Sequence, residues 1–97
     1  MPDVREIAAA YGVRVELVDL GDWAAVTLVA EYDPDGPVIR VNERALPLEA
    51  RRDATDHAIA HELYHHREAI GEIARIAERA ARERAADAFA DDLVPSR

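Results

Sequence analysis

His61-Glu62-Leu63-Tyr64-His65 decides how the rest of this chain is read. The five residues spell H-E-x-x-H inside a run that turns helical in period near Leu48 and stops near Ile70-Gly71. Histidines four apart on a helix share a face, so both imidazoles can reach one metal ion. The glutamate after the first histidine projects beside that ion, where it can take a proton from an activated water. The pattern implies metal-assisted hydrolysis, with a peptide bond as the leading target and zinc as the expected metal.

A catalytic zinc takes three protein ligands and leaves a position open. The next helical stretch offers a third in Glu83-Arg84-Ala85-Ala86-Asp87-Ala88-Phe89-Ala90. Glu83 and Asp87 are also four apart and share a face. Glu83 would reach the metal, and Asp87 would accept the other ring N–H of a ligand histidine and fix its tautomer. Ala86 and Ala90 would let the two helices approach closely. Glu72, Glu78 and Asp87 itself are alternative ligands. The spacing makes a demand on the fold. If the chain turned only at Gly71, Glu83 would lie roughly 18 Å beyond the turn and His65 only about 9 Å before it. A second break near Ile76 to Glu78, or a steep crossing, is needed.

His57 extends the stripe to i, i+4, i+8, but eight residues span about 12 Å and cannot all aim at one ion. His57 is expected near the cleft as a hydrogen-bonded histidine supporting the site. His66 points about 100° away from His65 and reads as a partly exposed helix residue. Arg75, Glu78, Arg79, Arg82 and Arg84 read as a solvated, ion-paired helix face. Asp91 and Asp92 read as solvated. Trp23, Tyr32 and Phe89 read as core, with Tyr32 a possible oxyanion donor.

Composition narrows the chemistry further. The 97 residues suit a single domain, 1–97. There is no cysteine, which excludes disulfides, thiolate zinc sites and cysteine nucleophiles. Ser96 is the only serine and there is no lysine, which argues against a serine hydrolase and excludes a Schiff base. The net charge of −8, with arginines interleaved among acids, disfavours nucleic acid as a partner. The first residues lack a signal pattern, and no apolar run approaches the roughly 20 residues that span a bilayer. The expectation is a cytoplasmic protein with no membrane partner.

The N-terminal half reads differently. Asp3 to Tyr11 is a short helix, with Asp3 as N-cap, Val4, Ile7 and Ala8 on one side, and Gly12 as its stop. Val13 to Leu20 alternates as a strand. Trp23 to Tyr32 is a second strand, and Val38 to Val41 a third, after the turn signals of Asp33-Pro34-Asp35-Gly36-Pro37. Short connections suggest a meander of two or three mainly antiparallel strands, with Val38 to Val41 as the edge along which a peptide would lie. A final helix is expected from about Glu72 to Leu93, before Pro95. Strands first and helices later give an α+β fold class.

H-E-x-x-H followed by E-x-x-A-D-x-F-A resembles the gluzincin metallopeptidases, and the ImmA/IrrE family in particular. The stretches YGVRVELVDL, VIRVNERALPLEARR, HELYHH and ADAFADDLVP carry the likeness over nearly the whole chain. The family often has glycine where Tyr64 stands, and many relatives continue past the position of Pro95. The resemblance implies a small zincin-like domain with an active-site helix and a C-terminal glutamate helix. It implies His61, His65 and Glu83 as Zn²⁺ ligands, Glu62 as general base and Asp87 as supporting partner. It further implies a regulatory peptidase, a type that in that family often acts on a DNA-binding repressor. The competing readings are a non-catalytic metal-binding interaction module of the same fold, and a plain α+β domain with a chance motif.

Overall fold

The computed structural model describes residues 3–18, 29–43, 46, 49 and 51–94. Helix α1 spans Val4–Ala10. Asp3 caps it, its Oδ1 accepting from the backbone N–H of Arg5 at 2.7 Å and of Glu6 at 3.1 Å. Val4 and Ala8, four apart, face the core. At the other end Gly12 takes φ +75°, a left-handed conformation that glycine adopts without steric cost. The N–H of Val13 then returns to the carbonyl of Ala8 and that of Gly12 to Ala9, closing the helix end as a Schellman turn.

Three strands follow: β1, Arg14–Val18; β2, Ala30–Asp33; β3, Val38–Asn42. Their spatial order is β1-β3-β2. β2 and β3 form the expected antiparallel pair across the 34–37 turn, with Tyr32 opposite Ile39. β1 runs parallel to β3, Arg14 opposite Val38 and Val18 opposite Asn42. The sheet is therefore mixed rather than a meander, and Val38–Asn42 is its centre rather than its edge. The sequence of β3 explains this. Val38, Ile39 and Val41 are each no more than 1% exposed, because a central strand is covered on both faces and tolerates a nearly continuous apolar run. Its one charge, Arg40, faces Glu16 on β1 and Glu31 on β2 in direct register, at 3.2 Å each. Opposite charges in register on neighbouring strands support that pairing. The expected second strand is realised over Ala30–Asp33; Trp23 lies outside the described residues.

Helix α2, Arg51–Ala69, packs on the sheet through Ile59 and Leu63, both fully buried. It ends in the same way as α1. Gly71 has φ +77°, and the N–H groups of Glu72 and Gly71 return to the carbonyls of Arg67 and Glu68. Helix α3, Arg79–Leu93, begins later than the sequence suggests. The segment 70–78 is irregular, and Glu78 caps α3 by accepting from the N–H of Ala81. This is the second break that the spacing demands. It leaves Glu83 about 6 Å past the start of α3, a rise that matches the distance of His65 from the end of α2. The two helices run back to back over Ala86 and Ala90, both fully buried. The fold class is α+β, as expected. Among the described residues no helix is long and apolar enough to cross a membrane.

Candidate metal centre

Antiparallel packing of α2 on α3 sets the histidine stripe against an acidic one. His57 meets Asp91, His61 meets Asp87 and Glu83, and His65 meets Glu83. The Nε2 atoms of His61 and His65 both face the Glu83 carboxylate, at 2.8 Å from Oε2 and 3.5 Å from Oε1. One ligand atom from each residue lies within 4.8 Å of the other two. Atoms bound tetrahedrally to zinc at about 2.0–2.1 Å lie roughly 3.3 Å apart. A divalent ion would therefore need only side-chain adjustments of about an ångström.

The opposite ring nitrogens are held as well. His61 Nδ1 pairs with Asp87 Oδ1 at 2.7 Å, and His65 Nδ1 pairs with Glu68 Oε1 at 2.8 Å. With Nδ1–H donating to a carboxylate, each ring keeps its Nε2 lone pair turned toward Glu83, the arrangement found around metal-ligating histidines. Two imidazoles, one carboxylate and tied outer nitrogens form a donor set that fits zinc or a similar divalent ion. Glu83, the candidate third ligand, and the Asp87 contact thus fall where the spacing places them. The alternative ligands are engaged elsewhere: Glu78 at the α3 cap, and Glu72 with the Tyr11 hydroxyl and Arg67 Nε.

Glu62 stands apart from this pairing. It is half-buried and has no hydrogen bond or ion pair among the described residues. Burial raises its carboxyl above the ordinary glutamate value; the nearby His61 and His65 oppose the rise and Glu83 adds to it. A carboxylate left unpaired beside two histidines, with proton affinity raised, has the properties of a general base.

Sequence reasoning missed Glu68 and Arg82. The Glu68 side chain is only 3% exposed. It accepts from Arg82 Nη2 at 2.7 Å and Nε at 2.9 Å while also holding His65. Arg82 is therefore no solvated face residue; it anchors the carboxylate that holds the His65 ring. The Arg82 guanidinium, and then His65, hold the Glu68 carboxyl below the ordinary range. The available signal was the i, i+3 spacing of His65 and Glu68, which puts them on one helix face.

The two other histidines lie outside the cluster. His57 makes the expected hydrogen bond, from Nε2 to Asp91 Oδ1 at 2.8 Å, but one turn away, where it ties α2 to α3 instead of holding His61 or His65. The same contact shows that Asp91 is not simply solvated. His66, expected near the surface, is 4% exposed. Its Nδ1 bonds the Tyr32 hydroxyl at 2.7 Å, and the rings of Tyr11 and Tyr32 meet it edge-on. Burial lowers its basicity, with Glu72 opposing. Tyr32 is thereby committed to positioning β2 on α2. Phe89 packs on Tyr64 and under Arg67, as a core residue would.

No protein-family model, curated protein or solved structure matches this chain. The geometry of the two helices therefore carries the functional argument.

Proposed function

We propose that this chain is a zinc-dependent peptidase of the gluzincin type, akin to the ImmA/IrrE proteins that its motifs resemble. The observation that carries the reading is the convergence of His61 and His65 Nε2 on Glu83, with Glu62 beside them and unpaired among the described residues. A zinc ion held by these three residues would supply a water acidified toward neutrality and a Lewis acid for the scissile carbonyl. Glu62 would act as the base beside the site, its carboxylate holding the proton given up by the attacking water and returning one to the leaving amine. Asp87 and Glu68 keep both rings fixed through the cycle.

The extended peptide lies along β2, in place of the central β3. β2 is the outer strand on its side of the described sheet and sits against α2 through Tyr32 and His66. A repressor-like protein is the substrate class suggested by the family resemblance. A non-catalytic metal-binding module of the same fold would need the three ligands but no base, so the half-buried, unpaired Glu62 favours catalysis.

Glu62→Gln tests the assignment. The variant should retain its zinc by elemental analysis while cleavage of a mixed peptide library, read by mass spectrometry, falls by about 10²-fold or more. Undiminished cleavage would remove Glu62 from the mechanism.

A further inference from the structure

A cleft of about 260 Å³ opens beside the metal centre, lined among others by Tyr32, Pro34, His65, Glu68, Arg75 and Arg82. Its charges do not cancel. Arg82 is committed to Glu68 through both Nε and Nη2, and the same carboxylate holds His65. Arg75, in the irregular segment before α3, has no hydrogen bond or ion pair among the described residues. The cleft thus carries a surplus positive charge in a chain of net charge −8. His65 belongs both to the cleft wall and to the candidate ligand set, so the cleft adjoins the candidate metal site through the His65 ring.

We infer that this cleft is a substrate subsite for a carboxylate, held by Arg75, and that the enzyme selects peptides with an acid next to the scissile bond. The inference rests on the peptidase reading above. The guanidinium fork suits a planar carboxylate, and the wall formed by Tyr32 and Pro34 would lie along the methylenes that lead to it. Two sources present this chemistry: an acidic side chain or the free C-terminus of a short peptide. Arg75 is exposed, so the preference is modest, about fivefold, which is the scale of an exposed ion pair.

Calorimetric titration of the zinc-loaded chain with three short peptidyl hydroxamates tests this without any turnover. The reference carries a glutamine side chain and an amidated terminus. The second replaces glutamine by glutamate, and the third frees the terminal carboxylate. One of the charged probes should bind about fivefold tighter than the reference, and which one does so identifies the source. The gain should vanish in Arg75→Gln and shrink with added salt. Equal binding of all three, or a gain that survives in Arg75→Gln, overturns the subsite while leaving the metal centre standing. Failure of every probe to bind the zinc-loaded protein overturns the peptidase reading, and the subsite with it.

Discussion

Glu68→Gln isolates the residue that the sequence hid. The glutamate side chain is 3% exposed and its two oxygens serve Arg82 Nε, Arg82 Nη2 and His65 Nδ1 at once. Glutamine keeps one acceptor oxygen and turns an NH₂ toward either the guanidinium or the ring. At least one charge-assisted hydrogen bond is lost, a cost to the metal-free fold of about 1.5–3 kcal/mol. Arg82 is 25% exposed, and water reaching it places the figure toward the lower end. The consequence for the metal is separate. A His65 ring with no carboxylate on Nδ1 loses basicity and orientation at Nε2, and removal of such partners weakens metal binding by about 10–100-fold. Competition for zinc against a chromogenic chelator reads the affinity, and thermal unfolding of the chelator-treated protein reads the stability. Zinc bound as tightly by Glu68→Gln as by wild type would refute the claim that Glu68 orients a ligand, whatever the change in stability.

The remaining predictions concern the scaffold. Burial holds the Asp56 carboxyl above its ordinary value, with Arg5 partly opposing. Its protonated form therefore favours the fold, and the penalty that Asp56 alone imposes on stability should be relieved as pH falls from neutral through its raised folded value. Asp56→Asn should raise the melting temperature at pH 7, with the gain closing as the pH drops through the acidic range; a loss at pH 7 would contradict this. Gly71→Ala meets no atom within 4 Å but forces alanine to φ +77°, so it should cost about 1–2 kcal/mol in urea denaturation, and an unchanged midpoint would show that the α2 end relaxes without left-handed geometry.

The legible parts of this protein are those in which local chemistry decides. Asp3 and Gly12 bracket α1, Gly71 ends α2, and the four-residue spacings of His61/His65 and Glu83/Asp87 survive intact because they are properties of one helix each. The start of α3 was less legible. Glu72 to Glu78 has helix-forming residues, yet the Schellman turn at Gly71 and the cap at Glu78 leave that stretch irregular. The strand order was hidden because pairing is non-local. Val38-Ile39-Arg40-Val41 reads as any short strand, and only the two-sided burial of its apolar residues, with acids meeting Arg40 from both neighbours, makes it central. His66 and Arg82 are illegible for a related reason. Each is polar and reads as solvent-facing from its own helix, but its partner lies elsewhere in the chain: Tyr32, 34 residues from His66, and Glu68, 14 from Arg82.

The central claim is that α2 and α3 together build one three-ligand metal site. It is tested most directly by zinc content, measured by elemental analysis on wild type, Glu83→Ala and Glu78→Ala purified side by side without chelator. The account predicts one zinc per chain in wild type and in Glu78→Ala, with a sharp loss in Glu83→Ala. Equal zinc in all three would move the third ligand away from Glu83, and no zinc in wild type even after supplementation would contradict the metal centre itself.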